Sequence, residues 1–156
     1  MDGVGVVGPA PTRPQGPEIL VGSWEEDALR SVGTTADGVV TFGFDGDPAS
    51  HVAVHSAIVP QWEAAGRTGA PRVVAGNFFA LGPDAEAGAA AYLGEHYGWL
   101  SRDERAAFID AMGCKTPDAI GDTIRKFEDA GVIDTLFFTP TIASLDQVER
   151  LIDAIG

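Results

Sequence analysis

The chain of 156 residues is poor in several things, and each shortage excludes something. It has one cysteine, Cys114, so neither an internal disulfide nor a thiolate cluster can form. It has 10 Lys and Arg against 23 Asp and Glu, a formal net charge of -13. That charge repels nucleic-acid phosphates and anionic lipid, so neither is expected as a partner. No apolar run approaches the roughly 18 residues of a membrane span, so no transmembrane helix is expected. The start, MDGVGVVGPAP, lacks a basic segment followed by a long apolar one, so it does not read as a secretory signal. Histidines number only three, and no HExxH pattern is present. Hydrophobic residues make up 45%, enough for a real core, which argues against wholesale disorder. These totals predict one soluble, acidic, cytoplasmic domain covering residues 1–156, with 1–17 as an extended lead-in. Pro9, Pro11, Pro14 and Pro17 keep that lead-in irregular, although Val4 to Val7 could make a short edge strand. It reads as a connecting segment.

The organising stretch runs from Gly16 to Val40, GPEILVGSWEEDALRSVGTTADGVV. Glu18 to Val21 is a short strand between turn signals. Ser23 stands where a helix should begin, with Glu26 three residues on, the pattern of a capping box. Ala28, Leu29 and Val32 give that helix an apolar side, and Gly33 is a plausible stop. Asp37-Gly38 turns the chain into a second strand, Val39 to Phe42. A strand, a helix and a strand in so few residues make a βαβ unit with parallel strands. Gly22-Ser23 then lies at a strand's carboxyl end and a helix's amino end. Backbone N–H groups and the positive end of the helix dipole converge there, a place suited to an anion such as phosphate. An ordinary cap serine explains the same residues.

The pattern continues in kind. Asp47 and Pro48 open a helix reaching about Gly66, which Pro60 should kink or divide. Arg72 to Leu81 is a third strand, where Gly76 signals a bulge or a close approach. Helices follow from Pro83 to about Trp99, from Ser101 with the box residue Glu104, and from Thr116-Pro117 to Gly131. Asp134 to Thr139 is the fourth strand. Ser144, with Gln147 three residues on, caps a last helix whose buried face should be Leu145, Val148, Ile152 and Ile155. The order predicts an α/β fold with a parallel sheet, a (βα)4 half of a TIM barrel. Such a half exposes two edge strands and an apolar inner face, so self-association or pairing with a separate N-terminal half is expected.

Other chemistry-bearing residues have plain readings. His51 and His55 are four apart and could face one metal, but no third ligand sits at a convincing spacing. They are read as a solvated helix face, and no metal site is assigned. His96 near a helix end complements the dipole. Cys114 beside Lys115 is read as an incidental thiol. Asp45 and Asp47, near a strand's carboxyl end, fit turn and capping chemistry as well as a site. One member of each pair Phe78/Phe79 and Phe137/Phe138 should point inward.

Several of these runs resemble the C-terminal half of the bacterial luciferase-like monooxygenases. Gly16 to Ser23 followed by Ala36-Asp37-Gly38 resembles the fifth strand of that family and the opening of the sixth. Trp62-Glu63-Ala64-Ala65-Gly66-Arg67 resembles the end of its sixth helix. Lys115-Thr116-Pro117-Asp118-Ala119-Ile120 resembles a Gly-Thr-Pro-Glu helix start, with Lys115 in place of glycine. Glu128-Asp129-Ala130-Gly131-Val132 resembles the approach to the eighth strand. The resemblance implies a flavin- or deazaflavin-dependent oxidoreductase on a TIM barrel, with FMN or coenzyme F420 as cofactor. It implies that Gly22 and Ser23, with a further backbone N–H at Trp24, meet the cofactor phosphate. No catalytic acid or base follows from it. The first four strands of that barrel have no counterpart here, so the half is expected to lack a complete active site. The alternative is a non-catalytic α/β module that binds a phosphate-bearing ligand or a partner chain.

Overall fold

The computed structural model describes residues 12–13 and 16–156; the Val4 to Val7 strand and most of the lead-in lie outside them. The elements are β1 (Leu20–Val21), α1 (Glu26–Thr35), β2 (Gly38–Gly43), α2 (Ala49–Ala64), β3 (Arg72–Phe79), α3 (Ala85–His96), α4 (Arg102–Ala111), α5 (Pro117–Ala130), β4 (Thr135–Pro140) and α6 (Asp146–Ile155). The sheet runs β1-β2-β3-β4 in sequence order, and every pairing is parallel. This is half of an eight-stranded α/β barrel, as the alternation of elements predicts.

Side chains alternate across the sheet, and both faces are put to use. On one face, Val39 and Val73 pack against Leu29 and Val32 of α1 and Val54, Ile58 and Trp62 of α2. Further along, Phe79, Leu81 and Phe138 pack against Ile120 and Ile124 of α5 and Leu151 of α6. On the other face, which would line a barrel, Phe42 and Phe78 meet Ala89, Tyr92 and Leu93 of α3 and Ile109 of α4. Phe137 joins this inner face, 5.7 Å from Phe42 by ring centroid, while Phe79 and Phe138 share the helix-covered side. One member of each phenylalanine pair therefore does face inward.

Two glycines show why the strands read as they do. A Cβ at Gly38 would stand 2.0 Å from the Arg72 carbonyl oxygen, so β2 and β3 could not close with any larger residue there. Gly76 is a close approach and not a bulge: it pairs regularly with Phe42 and Phe137, and both rings cross the space a side chain would fill. Asp37, beside Gly38, fastens the amino edge of the sheet. Its carboxylate accepts from the Ile19 N–H at 2.9 Å and from Arg67 at 2.7 Å, and its carbonyl accepts from the Arg72 N–H at 3.0 Å. The Ile19 N–H, then Arg67, holds the Asp37 carboxyl below its ordinary range.

The helix signals hold in part. Ser101 and Glu104 form the reciprocal capping box. Thr116 accepts from the Ala119 N–H, Pro117 is the first helical residue, and Gly131 ends α5 in the left-handed region at φ 67°. Pro60, expected to divide its helix, does not interrupt α2, which is assigned without a break from Ala49 to Ala64. Val54, Ile58 and Trp62, on both sides of the proline, pack into one core cluster, which keeps the helix continuous through Pro60.

The largest correction concerns α6. Its apolar stripe was expected to be buried, yet Leu145 is 84% exposed, Ile152 58%, Ile155 55% and Val148 51%. The helix is seated instead by Leu151 and by Gln147, which faces inward. Ser144 was expected to cap the helix with Gln147 three residues on, but the N-cap position is Leu145, and the Gln147 amide clamps Leu81 instead, accepting from the N–H and donating to the carbonyl at 2.9 Å each. That clamp turns the polar Gln147 inward and leaves the stripe more than half exposed.

Candidate functional site

Gly22, Ser23 and Trp24 stand in the loop between β1 and α1, at the carboxyl edge of the sheet. Ser23 is not the helix cap expected of it. The residue at that position is Glu25, whose side chain makes no capping bond, and Ser23 Oγ accepts from the Glu25 N–H at 3.0 Å in a local turn. The extra residues move the helix start to Glu26, so Trp24 lies before the first turn and not in it. Leu29 N–H is bonded to the Glu25 carbonyl at 3.0 Å, so the N–H groups of Glu26, Asp27 and Ala28 lie ahead of the helical hydrogen-bond ladder. Around Gly22 there is room: a Cβ would meet only Val40, at 3.5 Å or more.

The charge at this loop is mixed. Glu26 and Asp27 occupy the first turn of α1, where they complement the helix dipole but oppose an incoming anion. Arg30 draws both carboxylates to itself, at 2.8 and 2.5 Å. The loop therefore offers amides beside a first turn that stays net acidic, with one guanidinium against the two carboxylates. It carries no paired acid and base.

Behind the loop lies a group that the sequence reading did not bring together. His51, expected on a solvated helix face, is fully buried. Its Nδ1 is 2.5 Å from Thr41 Oγ1, and its ring centroid is 6.0 Å from Trp24 and 5.2 Å from Phe127. Asn77 of β3 is buried with it. The reason is register. Thr41 and Asn77 occupy the same alternation as Val39 and Val73, facing the helix layer, and α2 lays His51 against them. A signal was present: a threonine and an asparagine inside the apolar runs GVVTFG and VVAGNFF, each at a helix-facing step. His55 stays partly exposed, and no group of three or more metal-ligating side chains occurs among the described residues.

The remaining candidates keep their plain roles. Asp45 accepts from the Asp47 N–H at 3.0 Å, and Asp47 from the Ala49 N–H at 2.8 Å, which is turn and cap chemistry. Cys114 is buried beside Thr123, and burial pushes its thiol pKa up. No described helix is long and apolar enough to cross a membrane.

No protein-family model matches the chain, and no curated protein matches it. Solved structures do. A coenzyme F420-dependent tetrahydromethanopterin reductase from Methanopyrus kandleri superposes with a TM-score of 0.59 at 19% identity, over 86% of this chain and 48% of its own. An F420-dependent secondary alcohol dehydrogenase, solved with an F420-acetone adduct, gives 0.61 at 12% identity, over 86% and 48%. Apo-MsnO8 gives 0.60 at 14% identity, over 94% and 53%. The chain thus has the fold of about half of a luciferase-like barrel, and spans about half the length of the structures it matches.

Proposed function

We propose that this chain is the phosphate-cradling half of a luciferase-like flavin- or deazaflavin-dependent oxidoreductase, and that a second half-barrel must close on it to complete the site. The observation that carries the reading is the half-barrel match to two F420-dependent enzymes, joined to a βα loop whose amides lie at the carboxyl edge of that same half. Ligands of parallel α/β folds bind at this edge. Gly22 leaves the backbone open, Ser23 can donate its hydroxyl proton, and the first N–H groups of α1 add donors. FMN or F420, when bound, supplies the hydride chemistry. The protein's own part is to hold the phosphate at Gly22, Ser23 and Trp24 and to offer the half-buried rings of Phe42 and Phe137 on the inner face to a planar ring.

The partner is a complementary half-barrel, either a second copy or a separate N-terminal half. The exposed α6 stripe supports it, because a soluble chain rarely leaves such a row in water unless something covers it. A competing reading is a non-catalytic module that binds a phosphate-bearing ligand or only a partner. It is favoured by the acidic first turn of α1 and by the lack of a paired acid and base beside the loop.

Titration of the wild-type chain and of Ser23→Ala with FMN and with F420, followed by absorbance and fluorescence, tests the proposal. Binding by the wild type and about ten-fold weaker binding by the variant, the worth of one charge-assisted hydrogen bond, is expected. Equal affinity for both would remove Ser23 from the cradle. No binding of either cofactor, alone or with a completing half present, would leave the fold as shared ancestry only.

A further inference from the structure

Among the described residues, the buried side-chain polar atoms without a hydrogen-bond partner are His51 Nε2 and the two amide atoms of Asn77. Both side chains are 0% exposed. They converge over Gly43, where a methyl group would stand 2.9 Å from His51 Nε2 and 3.2 Å from Asn77 Oδ1. Gly43 is also the register partner of Asn77, so β2 and β3 hold the amide at that spot. The other ring nitrogen is committed to Thr41. Trp24 and Phe127 close the seat with apolar rings.

This seat treats the two proton states of His51 differently. A neutral imidazole has one N–H and one bare nitrogen; in the tautomer that donates from Nδ1 to Thr41, Nε2 is an uncharged acceptor left without a partner. An imidazolium carries a second N–H at Nε2, where Asn77 Oδ1 stands nearby over Gly43 but makes no hydrogen bond to it, so the added charge has no paired acceptor in the seat. Burial opposes the charge and lowers the pKa of His51, while the carboxylates of Asp45 and Asp47 in the β2–α2 loop draw it the other way. Those two are the charged groups that bear on the ring. The β1–α1 loop faces it with Trp24, β3 with Asn77 and α5 with Phe127, all uncharged, and α2 itself carries His55 one turn on.

We propose that His51 is a proton-operated support for the Gly22–Trp24 loop: neutral, it seats Trp24 and holds the loop closed; protonated, it leaves the Thr41–Asn77 seat toward Asp45 and Asp47, and the loop loosens. A loosened loop scatters the amides that would meet an anion. That consequence rests on the phosphate-cradle reading; the switch itself does not. The sign follows from linkage. The folded chain binds the His51 proton less readily than the unfolded one, so the closed arrangement is fully supported above about pH 6.5 and loses support as pH falls through the lower folded value.

The test uses the full chain, labelled with 5-fluorotryptophan, followed by fluorine NMR from pH 8 to pH 5. The Trp24 signal is identified by its loss in Trp24→Phe, and the histidine ring protons are followed in parallel. His51 should titrate below the ordinary histidine range, the Trp24 signal should move with the His51 midpoint, and His51→Gln should abolish that movement. Asn77→Asp, which puts a carboxylate beside Nε2, should raise the midpoint by a pH unit or more, and this arm decides the matter if His51→Gln fails to fold. A Trp24 signal that stays fixed through the His51 titration, one that still moves in His51→Gln, or an unchanged midpoint in Asn77→Asp overturns the proposal. Inorganic phosphate added along the same series separates the two readings. Affinity falling with the His51 midpoint supports both, whereas no phosphate binding at any pH sinks the cradle and leaves the switch to be judged on the Trp24 signal.

Discussion

The exposed stripe of α6 gives a prediction whose size comes from the structure. Consider the double substitution Val148→Gln and Ile152→Gln. Full burial of each side chain contributes about 1.5–3 kcal/mol. Val148 is 51% exposed and Ile152 58%, so within this chain roughly half of that is realised. Glutamine keeps some methylene contact and is a better helix former than either residue it replaces. The isolated chain should therefore lose only about 1–2 kcal/mol in total, a fall in Tm of roughly 2–8 °C for a domain of this size. Had the stripe faced the chain's own core, the loss would be about 3–6 kcal/mol, with polar groups left unpaired besides. On the proposal that a completing half covers α6, the other half of the apolar area is buried there, and association should weaken about 10- to 150-fold. Urea unfolding at a protein concentration low enough for the monomer measures the first quantity, and sedimentation over a concentration series measures the second. A stability loss above about 3 kcal/mol would refute the exposure of the stripe. Unchanged association, with the second copy and with an N-terminal half-barrel alike, would refute its role as the joining face.

Two other substitutions probe how the half-barrel is held. Gly38→Ala forces a methyl group against the Arg72 backbone and should cost about 3 kcal/mol or more, read as an early thermal transition with strand amides exchanging faster; wild-type stability would mean that β2 and β3 do not approach as described. Gln147→Leu keeps the volume but strands the Leu81 N–H and carbonyl, at about 2–4 kcal/mol, visible in urea unfolding. A neutral result there would show that Leu81 finds other partners.

Much was legible in the sequence because it is written locally. Gly131 and Thr116-Pro117 bound a helix by backbone conformation and capping, which need no distant partner. The apolar runs at β2, β3 and β4, separated by helical segments, fix a parallel α/β order, since parallel neighbours require such crossovers. Where Ser23 was misplaced as a cap, the error is a shift of a few residues: Glu25 can take the non-helical conformation as readily, and the choice is made by how the loop reaches from β1 to α1.

What the chain by itself determined is the order of its strands and helices and the place of the β1–α1 loop, because periodicity, caps and turns act over a few bonds. What only the tertiary structure decided is which side of an element meets its own core. His51 looked like a surface residue until the register of β2 and β3 brought Thr41 and Asn77 beneath it. The α6 stripe looked like a core face until the Gln147 clamp on Leu81 turned it outward. An apolar stripe is written with the same residues whether its cover is the chain's own sheet or, as proposed, another half-barrel.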